Sequence, residues 1–330
     1  MSMLVPFLAS AIQQGTPLLL GATGEIVTEK SGNLNLGIPG IMYVGAISGV
    51  IGGFFYQNTL APREAAAPFL AILITMGCCL LGSLLATLIY AFLTITLRCN
   101  QNVTGLALTT FGVGFGNFFG GSLIKVSGAE VPFIALTKIA KVFKKPLVED
   151  ASTMGWFGKI FLSHGFLVYL AVIIALLATF VLSYTKTGLH LRAVGESPAT
   201  ADAAGINVTA YKYLSTCIGG MIAGLGGLYF VIDYSNGIWS NNGFGDRGWL
   251  AIALVIFAIW KPWFAIIGSY LFGGLYILSN YLSVSMKMMP VIEMLPFVVT
   301  IAVLIFTSLR KKKEHQPPAS LGLSYFREER

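Results

Sequence analysis

The sequence predicts an all-α membrane protein, a polytopic bundle of about eight to ten transmembrane helices with one short helix in a cytoplasmic loop. Three observations predict it. Of 330 residues, 55% are hydrophobic and only 11% are charged, against roughly 25% charged in soluble domains. Mean hydropathy is +0.78. Runs of about 20 apolar residues, the length needed to cross a bilayer, recur along the chain.

In chain order, segment 4–24 is apolar but interrupted by Gln and Gly, and 34–56 is rich in Gly. Segment 67–97 is one of the clearest spans, and 103–123 is diluted by Gly, Thr and Asn. After a Lys-bearing loop over 124–159 come spans at 161–184 and 212–233, separated by the longest expected cytoplasmic loop, 185–211. Segment 248–260 is short, and 263–284 and 290–309 complete the set. Residues 1–310 therefore read as one membrane domain and 311–330 as a cytoplasmic tail. The run Arg310-Lys311-Lys312-Lys313 after the last span places the C-terminus in the cytoplasm by the positive-inside bias. The lysines of 124–159 then fall outside, as long translocated loops allow. No basic stretch precedes the apolar start and no A-x-A site follows it, so insertion is expected to use the helices themselves.

Composition also excludes functions. The net charge of +7 sits in loops and at the end of the chain, without the basic stripe of a nucleic-acid binder. Cys78, Cys79, Cys99 and Cys217 have no metal-site spacing. Gly112, Gly114 and Gly116 lack the strand, Lys and Ser/Thr of a phosphate-binding loop. They read as small residues that let helices pack closely in lipid. Three scattered His residues and no H-E-x-x-H motif argue against a membrane enzyme. Glu25, Asp233, Asp246 and Glu293 are expected at interfaces with water.

Two stretches carry mechanism. Gly24 to Gly40 is polar and then apolar, broken by Gly32, Gly37, Pro39 and Gly40. Non-helical backbone at membrane depth is tolerated only inside protein or beside a watery path, and transporters place broken helices beside the substrate route. An ordinary loop before a kinked helix is the competing reading. In the second stretch, Ser197 is a good helix cap with Pro198 at the first position, and Gly205 is a good stop. The result is a small Ala-rich helix whose Ala199, Ala201 and Ala203 give a slim profile. Glu196 and Asp202 are placed to pair with basic groups on a docking partner. A plain connecting helix is the competing reading.

These residues resemble the coupling-helix motif of ABC importer permeases of the branched-chain amino acid and simple-sugar group. There the pattern runs RAVGENP-x-AA-x-AAGI, against Arg192 to Ile206 here. The stretch Gly24 to Gly40 resembles that group's ERSG-x-NLG-x-EGMM signature, and Gly245 to Phe257 is similar to the GRGFIALAAVIFG stretch of one branch. That branch is the shorter permease of bacterial nucleoside importers. Gln101 to Gly105 and Pro318 to Tyr325 also fit it. Two positions depart: Pro39 stands where the family has Glu, and Ala258 follows Phe257 where a small or polar residue is usual. Pro39 lies in the expected pathway, so the exact substrate stays open.

The resemblance implies a multi-pass subunit of a bacterial cell membrane that pairs with a second, different permease. It implies two ATPase subunits, which bind ATP and Mg, and an extracytoplasmic substrate-binding protein. This chain itself is expected to hold no cofactor and no ATPase site. Glu196, Ser197, Pro198, Ala199, Ala201, Asp202, Ala203 and Gly205 are the expected coupling residues. A neutral nucleoside needs amides, hydroxyls and aromatic surface along its route. Asn33, Asn35, Pro39, Asn102, Thr104, Phe111, Phe115 and Asn117 are the expected path residues. A simple sugar or branched-chain amino acid is the alternative cargo. An ATPase-independent secondary transporter would need paired ionisable groups within spans, and no convincing pair stands out.

Overall fold

A computed structural model describes residues 3–61, 64–127, 133–148, 154–282, 287–310 and 316–327. The chain is a helical bundle. Helices α1 (Leu4–Glu29), α2 (Ile38–Thr59), α3 (Pro68–Ala91) and α4 (Gln101–Ser127) come first, and α3 continues through a π-helical turn at Phe92–Thr96. A short α5 (Thr137–Phe143) and a helical turn α6 (Gly155–Phe157) precede α7 (Phe166–Tyr184). Then come α8 (Lys186–Glu196), α9 (Pro198–Ala203) and α10 (Val208–Tyr229), which continues into another π turn at Phe230–Tyr234. The last helices are α11 (Arg247–Phe257), α12 (Pro262–Tyr281), α13 (Met289–Glu293) and α14 (Leu295–Arg310). Strand β1 (Ile134–Ala135) pairs antiparallel with β2 (Ile238–Trp239), a long-range clip at one end of the bundle.

Each of the nine apolar segments meets a helix. Among the described residues, six helices are long and apolar enough to cross a membrane: those starting at Leu4, Ile38, Pro68, Phe166, Val208 and Pro262. Helix α4 is long enough at 27 residues, yet Thr109, Thr110, Asn117 and its glycines keep it less apolar. Helix α11 has 11 residues, about 16 Å of rise, too short to span alone. It ends where Ile259 and Trp260 adopt positive φ of 54° and 52° and reverse the chain into α12.

Helix α1 is the central post, packed by α10, α12, α11 and α7. It runs antiparallel to α10, with Pro17 against Gly226 and Gly24 against Gly219. It runs in the same direction as α11, with Gly21 against Ala251 and Glu29 against Trp260. Small residues make these contacts possible. A methyl group on Gly45 would stand 2.8 Å from the Gly224 Cα, so α2 and α10 cross backbone to backbone as tight membrane helix pairs do. The outer faces of α3 and α7 expose Leu73, Leu81, Leu85, Ile173, Leu176 and Phe180. That apolar surface suits lipid, which solvates it directly.

The ends of α1 and α2 do not meet at one level. Asn35 lies beside Glu25, more than a turn back along α1. Pro39 packs on Gly248, three residues before the Ala251 that faces Gly21. The connection 30–37 therefore turns back into the bundle, and α2 starts deep within it rather than at its edge.

Candidate functional site

The re-entrant connection is built from the residues expected at the pathway. Gly32 takes φ +85°, a left-handed conformation that glycine adopts without steric cost. Each buried backbone polar group needs a partner, and here distant side chains supply them. The Asn35 N–H donates to Glu25 Oε1 at 2.9 Å, and the Asn35 carboxamide accepts from the Gly37 N–H at 2.9 Å. The Leu34 N–H donates to Gln101 Oε1 at 2.7 Å, and the Tyr90 hydroxyl donates to the Leu34 carbonyl. The Thr109 hydroxyl donates to the Leu36 carbonyl at 2.7 Å. Asn33 donates through Nδ2 to the Thr216 hydroxyl at 3.1 Å. Below them, the Trp260 indole N–H donates to Glu29. Glu25 Oε2, Asn33 Oδ1 and Asn35 Nδ2 are buried without a partner.

Two expectations need correction here. Glu25 and Asp233 are not at a water interface: both are buried, at 0% and 3% exposure. Glu25 is buried because it props up the returning Asn35 backbone, a role that is invisible until the chain folds back. Asp246 is exposed, and the Glu293 side chain lies outside the described residues. Arg247 is also buried. Its guanidinium lies 4.5 Å from the Phe230 ring and 4.7 Å from the Tyr276 ring, and Nη1 donates to the Phe244 carbonyl at 2.9 Å. Aromatic faces thus stand in for a carboxylate.

The other expected path residues lie on α4 and present a different picture. One side of α4, with Gly105, Leu108, Thr109, Gly112 and Gly116, packs on the connection and α2. Around the rest of its circumference Asn102 and Phe111 are exposed, with Thr104, Phe115 and Asn117 half-buried. Phe111, Phe115 and Phe119 form a ladder of rings with centroids 5.7 and 4.5 Å apart. Asn117 exchanges two hydrogen bonds with Asn242, at 2.8 and 3.1 Å. The eight residues therefore form two groups: Asn33, Asn35 and Pro39 inside the bundle, and the α4 set spread around the outer part of that helix, with Asn102 and Phe111, nine residues apart, on opposite sides.

The coupling stretch forms at the end of the bundle opposite the β clip. Ser197 caps α9, accepting from the Thr200 N–H at 3.4 Å, and Gly205 takes φ +82°. Helix α8, which ends at Glu196, was not anticipated. Ala201 points inward to a small cluster with Val194 and Val208. Glu196, Ala199 and Ala203 face outward, with Pro198 half-buried. Asp202 is already engaged within the chain: the Tyr325 hydroxyl donates to it at 2.7 Å, and Arg327 Nε lies 3.3 Å away. The described part of the tail packs on this chain. The Ser320 hydroxyl donates to the Gly195 carbonyl at 2.6 Å, and the Gly322 N–H donates to the Gly32 carbonyl at 3.1 Å. Arg98 stacks 4.5 Å from the Phe326 ring. Burial lowers the Lys30 ammonium below its usual range, while the Glu196 carboxylate opposes that shift. Lys311, Lys312 and Lys313, on which the expected orientation rests, lie outside the described residues.

A family described as branched-chain amino acid transport system / permease component matches residues 7–306. The chain belongs to this permease family. Among curated proteins, the permease is 32% identical to "Putative glucose ABC transporter permease protein TsgC13" of Haloferax volcanii, over 99% of both chains. It is 31% identical to the guanosine ABC transporter permease protein NupQ of Bacillus subtilis, over 90% of this chain and 86% of that one. It is 32% identical to the nucleoside ABC transporter permease protein NupC of Lactococcus lactis, over 90% of each. No solved structure matches. Among the described residues, no group of three or more His, Cys, Asp or Glu is placed to hold a metal ion.

Sequence reasoning missed Glu29, Tyr90, Gln101, Thr109 and Trp260 as supports of the re-entrant segment. One signal was available: Glu25 and Glu29 are four apart on an otherwise apolar helix, hence on one face.

Proposed function

We propose that this permease is a membrane subunit of an ATP-driven ABC importer for nucleosides, working beside a second, different permease. The observation that carries the reading is the pairing of a re-entrant, hydrogen-bonded α1–α2 connection with the uncharged amide, hydroxyl and aromatic side chains around the outer part of α4. A nucleoside is neutral and carries both a π face and several hydroxyls, so such side chains can bind it without a fixed charge. The names of NupQ, a guanosine permease, and NupC, a nucleoside permease, agree with that cargo. A weaker match, at 23% identity, is to the nucleoside ABC transporter permease protein NupB, from the same Lactococcus lactis strain as NupC. That match is consistent with a two-permease assembly.

In this reading the end carrying α8, α9 and the tail faces the cytoplasm and the ATPase subunits. Closure of the ATPase pair on ATP pushes on the outward residues of α9. The movement passes to the α1–α2 connection through Gly195 and Ser320, which touch Gly32 and Lys30. The path then opens toward the substrate-binding protein. Residues 316–327 act with the coupling loop, through the contacts of Ser320, Tyr325 and Arg327.

Uptake of labelled guanosine by the reconstituted full transporter tests the cargo, with unlabelled glucose and leucine as competitors. Competition by nucleosides alone is expected. The glucose reading has its own support, because TsgC13 matches over nearly the whole of both chains. Competition by glucose would replace the nucleoside and keep the ABC mechanism. Asp202→Lys and Gly205→Trp are expected to leave ATP hydrolysis running while uptake falls at least tenfold. Normal uptake by both variants would rule out α9 as the coupling element.

A further inference from the structure

A polar cavity of about 430 Å³ opens at the α9 end of the bundle, between the re-entrant connection, α9, the start of α10 and the tail. Among the described residues that line it, Lys212, Arg98 and Arg327 stand with one carboxylate, Asp202. That carboxylate is already occupied by Tyr325 and Arg327. Lys212 is only 3% exposed. Among the described residues its ammonium has neither a salt bridge nor a hydrogen-bond acceptor.

The first turn of α10 contributes a second source of positive potential. Asn207 caps it by accepting from the Ala210 N–H at 3.0 Å. The N–H groups of Val208 and Thr209 lie ahead of any intrahelical acceptor, and both residues line the cavity. The start of a 22-residue helix is favourable to an anion. Lys212, Arg98 and the α10 N–H groups thus share one cavity. A halide presents them a single centre, whereas a phosphate presents several anionic oxygens to donors spread in this way.

We propose that this cavity binds a phosphate-bearing ligand, held by Lys212 and the α10 N-terminus. Occupancy ties α9, α10 and the tail into one unit, so the ligand acts on coupling rather than as cargo. That consequence rests on the orientation and coupling given under Proposed function, whereas binding itself rests on the cavity alone. The phosphate can come from a soluble metabolite or from a lipid headgroup.

The test is thermal unfolding of the full transporter in nanodiscs, with 31P line broadening as the direct readout of binding. Inorganic phosphate and guanosine monophosphate are titrated in phosphatidylcholine discs at constant ionic strength with chloride as control. A parallel set uses discs containing phosphatidylglycerol. A rise in Tm and line broadening with the soluble probes identifies a metabolite site. A rise confined to the phosphatidylglycerol discs identifies a headgroup site. In either case Lys212→Met should weaken binding about tenfold or more, the scale of a charge-assisted hydrogen bond, and Lys212→Arg should restore most of it. Arg98→Gln, at an exposed position, should weaken binding a few-fold and covers the case in which Lys212→Met does not fold. A response absent from all discs, or equal in wild type and both charge-removing variants, overturns the proposal. Because binding is read without uptake, its failure is separate from failure of the nucleoside reading.

Discussion

The two faces of α4 are one residue or two apart in sequence and opposite in physical character. On one face Gly112 meets the Gly40 backbone, and Gln101, Thr109 and Tyr90 from neighbouring helices hold the backbone of the adjoining connection. On the other face Gly114 has no atom within 4 Å of where a side chain would begin, and Phe111 and Phe118 lie open. The first face has the fixed packing of a protein core, where shape decides. The second has the open, chemically mixed surface of a binding wall, where affinity decides. A single helix in this permease is therefore both a structural element and a candidate path lining.

The sharpest way to break this comparison is to place the same side chain on each face. Gly112→Leu drives a branched side chain into the Gly40 backbone, which cannot move aside without shifting α2. Folded yield in detergent should fall to a small fraction of wild type, in line with a penalty of about 3 kcal/mol or more for forced overpacking. Gly114→Leu should leave yield and Tm near wild type and reduce uptake instead. Fluorescence-detected size exclusion reads the first effect and reconstituted uptake the second. Equal loss of folding in both would mean that the open face is covered by structure.

Much of this was legible in the sequence, and the exceptions have physical causes. All nine apolar segments were legible because lipid-facing composition is a local property. The α9 helix was legible because its cap, its Pro and its terminal Gly lie within nine residues, Ser197 to Gly205. The re-entrant depth of 30–37 was only half legible. Gly32, Gly37 and Pro39 announce a break, but the partners that stabilise it lie far away in the chain, Gln101 being 67 positions from Leu34 and Thr216 being 183 from Asn33. The burial of Glu25 was misjudged for the same reason: a carboxylate near a helix end looks like an interface residue until a returning backbone covers it. The engagement of Asp202 by the tail depends on a separation of 123 residues, and no local pattern encodes it.

A second prediction tests whether the connection depends on its side-chain partners. Glu25→Ala leaves the buried Asn35 N–H without an acceptor and should cost about 1–3 kcal/mol, read as a drop in Tm. Glu25→Gln retains an oxygen for that N–H and should recover a large part of the loss. If Ala and Gln behave alike, the charge rather than the hydrogen bond holds the segment.

The open face should respond in kinetics and not in stability. Phe111 is 56% exposed, so Phe111→Ala removes little packing. A base stacked on an aromatic ring gains about 1–3 kcal/mol. Phe111→Ala should therefore raise the apparent KM for a nucleoside about fivefold or more with Tm unchanged. Glucose, which stacks weakly, should show a smaller change. A fall in Tm without a change in KM would return Phe111 to a packing role.

The smallest effect is expected at the tail, where exposure sets the scale. The Arg327 side chain is 75% exposed and that of Asp202 is 14% exposed. Solvent screens such a pair, and exposed ion pairs contribute about 0–1 kcal/mol. Arg327→Gln should shift Tm by no more than a degree or two. Tyr325→Phe removes a hydrogen bond to the same carboxylate from a half-buried position and should cost more, about 1 kcal/mol. The order matters more than the size. If Arg327→Gln proves the more damaging, the tail is held by long-range charge across the cavity mouth rather than by the Tyr325 contact, and raising the salt concentration from 0.05 to 0.5 M should then loosen the wild-type tail as well.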